Sequence, residues 1–338
     1  MVMEASDNSF AACETIRAHC RKAVVLESKQ CAKIGKRYCA NDRTDAVKLA
    51  RLYISGLAGK VWVPDMTTRL RREVFYTYQQ AVCDTTRARQ RIRSFLNQHR
   101  IRLEQGFRLT SEASLARLLA LRVWEPTQQL LLSQHHQALL NANLRRTQLR
   151  EVMAAELLKE PAILRLIRLC GLRHIAAFAL AAFIGDIRRF AGPKQLVAYI
   201  GLNPSVCESG NSKGSTHLRK HGCAPLRSLL VQAAQMILRV PQAPFAQWGY
   251  KLVIRRGRNR ATIGVARKLA TAVWYCLSGA FSAMDEIEPM VDRKLNLLVN
   301  ACGSLKERIL GDLSPQAYMA QMLLMLQKSH PLVFSSVP

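Results

Sequence analysis

The stretch Ile163-Leu-Arg-Leu-Ile-Arg-Leu-Cys-Gly-Leu-Arg-His-Ile-Ala-Ala-Phe-Ala-Leu-Ala-Ala-Phe183 decides how the C-terminal half of the chain folds. It reads as two apolar helices, Ile163 to Cys170 and His174 to Phe183, around a tight turn at Cys170-Gly171-Leu172. A helix apolar on every side is buried in protein or in lipid. The apolar run from Ile175 to Gly185, bounded by His174 and Asp186, is well short of the ~20 residues that cross a membrane. The expected setting is therefore a protein core, and no membrane partner is expected. No cationic leader opens the chain, so it is expected to be cytoplasmic.

On the C-terminal side, a loop rich in Gly, Ser and Asn covers Asn203 to Gly214, followed by helices over Pro225–Leu238 and Ala261–Leu277. On the N-terminal side lie two long helical patterns, Thr67 to about His99 and Pro126 to Leu158, with a short one at Glu112–Val123. Long helices polar on most faces suggest an antiparallel hairpin or coiled coil. The first 60 residues instead read as α/β: helix Ala11–Arg21, strand Ala23–Leu26, helix Asp45–Ile54 closed by Gly56 and Gly59, and strand Val61–Val63 before Pro64. The expected divisions are 1–66, 67–160, 161–285 and a helical tail at 286–338.

Fifty Lys and Arg against 23 Asp and Glu leave the 338-residue chain at +27, while 49% hydrophobic residues argue for a folded protein. Such an excess repels itself unless a polyanion neutralises it, which points to nucleic acid. A ribosomal protein would share that balance. The ten cysteines, with no CxxC pair and no Cys/His cluster of zinc spacing, read as reduced, small apolar residues.

Four constellations carry possible chemistry. In Asn41-Asp42-Arg43-Thr44-Asp45-Ala46, two carboxylates three apart share a helix face. They either complement the helix dipole or, with Glu4 at a strand end, gather divalent cations for phosphodiester chemistry. Glu208-Ser209-Gly210-Asn211-Ser212-Lys213-Gly214 is either an ordinary turn or a loop presenting a nucleophilic serine among cations, with Arg219, Lys220 and Arg227 following. The turn ending at Arg173 is either a plain helical hairpin or a helix-hairpin-helix facing a DNA phosphate. Lys251, Arg255, Arg256, Arg258, Arg260, Arg267 and Lys268 form an acid-free stretch suited to phosphates, with Trp248 and Tyr250 beside it as core residues or base-stacking platforms.

These pieces occur in an order with a family likeness. Phe190-Ala-Gly-Pro-Lys-Gln-Leu-Val-Ala-Tyr-Ile-Gly-Leu-Asn-Pro-Ser205, Glu208-Ser-Gly210, Arg219-Lys-His-Gly222, Leu226-Arg-Ser-Leu-Leu230 and Val265-Ala-Arg-Lys-Leu269 resemble the C-terminal transposase domain of the insertion-sequence one-ten family. The Gly-Leu-Asn-Pro and His-Gly forms lean toward its eleven-eleven subgroup. Val2-Met-Glu-Ala-Ser6, Asn41–Ala46 and Val61-Trp-Val-Pro64 resemble the family's DEDD domain. The resemblance implies an RNase H-like N-terminal domain of the Holliday-junction-resolvase type. A helical hairpin or coiled coil would follow it, and then a mainly α C-terminal domain with a helix-hairpin-helix-like segment. It implies Mg2+ held by Glu4, Asp42 and Asp45, matching the second to fourth acids, and Ser209 as the residue that links covalently to DNA. It also implies a bacterial, nucleoid-associated recombinase acting as a dimer or tetramer on element ends and target DNA, guided by a structured RNA. Arg173, Lys213, Arg219, Lys220, Arg227, Arg255, Arg256 and Arg258 are then the expected nucleic-acid contacts.

The chain departs from the family pattern in three places. Family members carry Gly-Ile-Asp on a first strand before the Met-Glu-Ala motif, which here begins at Met3. The expectation is a truncated sheet lacking the first aspartate, with impaired catalysis, from a misplaced start or a decayed copy. Arg173 stands where the family hairpin has a second glycine, and Ser212 and Ser215 lie close to Ser209. The alternative function is a non-catalytic DNA- or RNA-binding relic that keeps the basic surfaces.

Overall fold

A computed structural model describes residues 1–34, 42–104, 107–109, 111–207, 215–218, 222–279 and 288–328. They form two units, Met1–Arg69 and Leu70–Pro338. The second unit takes in residues 70–160 of the expected 67–160 segment together with 161–285 and 286–338.

In the first unit, strand β1 (Val2–Glu4) runs parallel to β2 (Val24–Leu26), which pairs antiparallel with β3 (Lys60–Val61). The central strand is buried on both faces, which is why it reads as an unbroken apolar run. Strand alternation sorts the side chains. Val2, Val24 and Leu26 pack with Cys31 of α2 (Ser28–Ile34) and with Leu49, Leu52 and Tyr53 of α3 (Asp42–Ile54). Val25 joins Met3 and Val61 in a second cluster with Cys13 and Ile16 of α1 (Ser9–Arg17). Within the strand expected at Val61–Val63, only Val61 enters the ladder, ahead of Pro64, which has no N–H to donate.

In the second unit, the two long helices are α4 (Met66–Gln98), which begins just before the boundary, and α6 (Pro126–Lys159). Asp65 starts α4 by accepting a 2.6 Å bond from the Thr68 amide. Glu125 and Gln128 form a capping box at the start of α6, with Pro126 at its first turn. Their pairing is antiparallel. Arg71 near the start of α4 bonds Glu160 and Glu156 near the end of α6, and Arg145 of α6 reaches Asp84 at 3.2 Å. Ile92, Phe95 and Leu96 at the far end of α4 pack with Leu132 and Leu139 of α6. That far end has its own core, closed by Leu118 of α5 (Glu112–Leu119) and by Trp124 stacked on Phe95 at 5.7 Å.

At its base the hairpin joins the main core. Met153, Ala154, Leu157 and Phe75 pack there with α8 (His174–Ile184), in which every residue from Ala177 to Ile184 is buried. Burying each large apolar side chain of this kind contributes about 1.5–3 kcal/mol. Ahead of α8, the helix expected over Ile163–Cys170 is instead the short α7 (Pro161–Leu164), a 3-10 turn over Arg165–Arg168, and an extended Leu169. That geometry buries Leu164, Leu166, Ile167, Leu169 and Leu172 and leaves the Ile167 and Leu169 carbonyls to accept from Lys294.

Beyond α8 come α9 (Pro193–Ile200), a hairpin of β4 (Pro204–Cys207) and β5 (Ser215–Leu218), then α10 (Ala224–Ile237), α11 (Ala246–Arg256) and α12 (Arg258–Leu277). The tail supplies α13 (Glu288–Ala301), α14 (Lys306–Leu310) and α15 (Pro315–Lys328), whose Val291, Leu295, Leu310 and Tyr318 complete the main core. Among the described residues no helix is long and apolar enough to cross a membrane.

Candidate catalytic and nucleic-acid-binding sites

Glu4 ends β1 and is exposed, and its strand parity puts it on the side of Val2, which packs against Leu49 and Tyr53 of α3. Asp45 is exposed on α3, one turn before Leu49. The Cys31 thiol is pushed up by burial and then by Glu4, while Lys48 of α3 pulls it down, so Glu4 and α3 act on one neighbourhood. Glu4 and Asp45 thus lie on the same side of the sheet. Asp42 opens α3, and its side chain lies outside the described residues. Among the described residues no three His, Cys, Asp or Glu side chains gather closely enough to hold a metal ion. Carboxylate oxygens are the hard donors that suit Mg2+, so the Glu4/Asp45 pair fits in chemistry, and Asp42 is the residue left to add to it.

Ser209 and Lys213, Arg219 and Lys220 lie outside the described residues, but the frame around them is described. β4 and β5 are antiparallel with Pro204 opposite Leu218 and Cys207 opposite Ser215, and residues 208–214 lie between them in the sequence. The hairpin's base is tightly fixed. Gly201 closes α9 with φ of 82°, and Gly222 has φ of 115°. A Cβ on Gly222 would stand 2.7 Å from the Gly201 Cα, so the two backbones meet in direct contact. The Cys223 amide donates to Tyr199 O at 2.9 Å, and α10 starts there with Pro225 in its first turn. Arg227, half-buried on that first turn, acts electrostatically on Cys223, whose thiol is pushed up chiefly by burial.

Beside this base two arginines close the C-terminus of α8. Arg72 donates to Ala182 O at 2.9 Å and to Phe183 O at 3.3 Å; Arg189 donates to Ile184 O at 2.8 Å and to Phe183 O at 3.1 Å. The Tyr199 hydroxyl also donates to Phe183 O, at 2.9 Å. Cations and donors at a helix C-terminus satisfy its orphan carbonyls and oppose its dipole. Burial pushes the Tyr199 hydroxyl up and the Arg189 guanidinium down. None of these three stood out in the sequence. The one signal was cationic Arg188-Arg189 right after an apolar helix.

The acid-free basic stretch forms the end of a second helical hairpin. α11 and α12 meet at Gly257, with φ of 79°, and pack closely because Gly249 and Gly264 carry no side chain; a Cβ on Gly249 would stand 3.1 Å from Val265 of α12, and one on Gly264 2.8 Å from Leu252 of α11. The bend exposes Arg255, Arg256, Arg258 and Arg260. Arg255 and Arg256 complement the C-terminal dipole of α11, but Arg258 and Arg260 occupy the first turn of α12, where the dipole is also positive. Helix stability therefore does not account for the second pair. Lys268 lies 5.8 Å from the Trp248 ring and 5.9 Å from Phe245, and the Tyr250 hydroxyl donates to Leu238 O at 2.7 Å, so both candidate stacking rings are partly engaged within the fold. Arg173 is exposed at the N-cap of α8, and the preceding Gly171, with φ of 76°, packs where a Cβ would meet Ala233 O at 2.9 Å.

Residues 164–248, from the turn before α8 through the β4–β5 hairpin and α10 into α11, match the Transposase IS116/IS110/IS902 family. This segment is similar to the transposase domain of that family. The chain is 35% identical over 111 residues to the transposase for insertion sequence element IS1111A of Coxiella burnetii, covering 32% of this chain and 30% of that protein. It is 29% identical over 237 residues to the putative transposase y4qE of Sinorhizobium fredii, covering 70% of this chain and 54% of that protein. A probable family 20 transposase of Pseudomonas aeruginosa is 32% identical over 119 residues, 34% of this chain and 35% of its own length. The chain thus spans about half or less of the length of these relatives. The transposase domain encloses the segment that carries Ser209, Lys213, Arg219 and Lys220, whereas Glu4, Asp42 and Asp45 lie outside residues 164–248.

Proposed function

We propose that this chain belongs to an insertion-sequence transposase that cuts and rejoins DNA strands. The observation that carries this reading is the match of residues 164–248 to a transposase family, a segment that contains the β4–β5 hairpin and, between its strands in the sequence, Ser209. Ser209 is the nucleophile: its hydroxyl oxygen attacks a DNA phosphorus, the phosphoester bond to the leaving oxygen breaks, and the hydroxyl proton passes to a base. Lys213, Arg219 and Lys220 neutralise the charge that develops on the phosphoryl oxygens. The Gly201–Gly222 contact and the Arg72, Arg189 and Tyr199 bonds to the end of α8 hold the hairpin base in place.

Glu4, Asp42 and Asp45 would hold Mg2+, in a domain of RNase H-like ancestry. When bound, the ion supplies Lewis-acid stabilisation of phosphoryl oxygens. Arg227, Arg255, Arg256 and Arg258 contact the phosphate backbones of DNA and of a structured guide RNA, and dimers or tetramers bring two active sites to one junction. Support for the nucleic-acid contacts comes from the exposed Arg258 and Arg260 in the first turn of α12, which holds no acid.

The test is covalent capture. In the full-length protein with Mg2+ and element-end DNA, Ser209→Ala is expected to abolish the protein–DNA adduct and strand exchange while leaving DNA affinity within about twofold. An undiminished adduct in that variant removes Ser209 from the mechanism. A second reading, a non-catalytic nucleic-acid-binding relic that keeps the basic surfaces, rests on the exposed Arg255, Arg256, Arg258 and Arg260, which need no catalytic centre to bind phosphates. DNA binding without any Mg2+-dependent cleavage would select it.

A further inference from the structure

A cavity of about 250 Å3 opens between α6, the turn before α8, and α13. Arg150, Arg173, His174, Lys294 and Asn300 contribute its polar lining, and among the described residues no Asp or Glu lines it. At roughly 30 Å3 per water, that is space for about eight waters, enough for a phosphate with its ester oxygens. The Arg150 and Arg173 guanidinium groups beside one recess favour an anion between them.

The recess is built rather than incidental. Lys294 reaches across from α13 and donates to Ile167 O at 2.9 Å and Leu169 O at 2.8 Å, which fixes its ammonium group beside the turn. Those carbonyls are available because this segment is 3-10 and extended instead of α-helical. Arg173 and His174 are the N-cap and first residue of α8, and no side chain caps the amides there. The His174 Nε2 is buried and has no hydrogen-bond partner among the described residues. A buried polar atom left unmatched costs about 1–3 kcal/mol, which an anion oxygen accepting from it would recover.

We propose that this cavity is a binding site for a single phosphate group, held by Arg150, Arg173, Lys294 and His174. It deepens the nucleic-acid reading above, because the natural source of phosphate for this chain is then a polynucleotide. It also gives the tail helix α13 a role in recognition, through Lys294 and Asn300.

The full chain, labelled at histidine, is titrated with inorganic phosphate while the His174 ring is followed by NMR. The expected result is a saturable shift of that ring and a rise in its titration midpoint from about 4, where burial and then Arg150 and Arg173 hold it, with Lys294 the remaining cation that lines the recess. Arg150→Gln/Arg173→Gln removes two exposed side chains and is expected to weaken phosphate binding at least tenfold, whereas Arg122→Gln, exposed and outside the recess, leaves it unchanged. No saturable shift, or undiminished binding in the double variant, overturns the site.

Oligothymidylates with a 5′-phosphate or a 5′-hydroxyl distinguish the sources. Preference for the phosphorylated strand identifies a terminal phosphate, and equal binding with a His174 shift identifies an internal phosphodiester. Oligonucleotide binding with no shift at His174 overturns the pocket and leaves the nucleic-acid function intact. A shift with phosphate and no oligonucleotide binding keeps the pocket and removes that function.

Discussion

Gly222 and His174 show how single residues carry constraints that composition hides. At Gly222, a side chain would have to adopt φ of 115° and enter space held by the Gly201 backbone. Gly222→Ala is therefore expected to lower stability by at least about 2 kcal/mol, combining left-handed strain with a backbone clash that cannot relax cheaply. Urea unfolding at neutral pH measures this, and a loss below half that size would mean the hairpin base is loose. His174 is held neutral, its pKa lowered to about 4 by burial and by the neighbouring Arg150 and Arg173. Between that value and the ordinary 6.5 the unfolded chain binds more protons than the folded one, so stability is complete above pH 6.5 and falls as pH drops toward 4. The loss is expected to reach up to about 3 kcal/mol, at about 1.4 kcal/mol for each tenfold change in proton affinity. His174→Asn should flatten this dependence in unfolding curves between pH 7 and 4.5; an unaltered pH profile would assign it to other groups. In the sequence His174 was only the boundary of an apolar run, since its orphaned nitrogen exists only once α6 and α13 close over it.

Among the elements, the arginine-bearing bend between α11 and α12 ties stability to function in opposite directions. Replacing Arg258 and Arg260 by Gln relieves two cations at a helix N-terminus, which is expected to raise stability slightly, by roughly 0.3–1 kcal/mol per residue. The same change removes phosphate contacts, each worth ~0.9 in the slope of log affinity against log salt on duplex DNA. Fluorescence anisotropy from low to moderate salt, beside thermal unfolding, checks both signs in one variant. Equal salt slopes for variant and wild type would place the DNA elsewhere. The charge run itself was legible from composition. That it is exposed at one bend, and divided between a favourable and an unfavourable dipole, was not, because both follow from Gly257 ending one helix and starting the next. The segment before α8 is the opposite case: its apolar spacing suggested an α-helix, but it runs 3-10 and then extended, with its Ile167 and Leu169 carbonyls accepting from the distant Lys294.

For the molecule as a whole, +27 over 338 residues means that folding concentrates positive charge against its own repulsion. A polyanion that binds only the folded state should then stabilise it. Excess duplex at about 100 times its Kd is expected to contribute ~2.7 kcal/mol, seen as a higher Tm that fades with added salt. A Tm indifferent to DNA at low salt would contradict the nucleic-acid role.

By itself the sequence determined the helical character of α8, the two long helices, the buried strand Val24–Leu26 and the ordered motifs of the transposase domain. Each of these depends on local periodicity or on residues adjacent in the chain. Tertiary structure alone decided that Glu4 and Asp45 share one side of a sheet, that Arg72 and Arg189 close α8, and that α6 and α13 bring Arg150 and Lys294 to the start of α8. Those placements join residues as far as 144 positions apart, from Arg150 to Lys294, and are set by the burial of apolar faces that no local window contains.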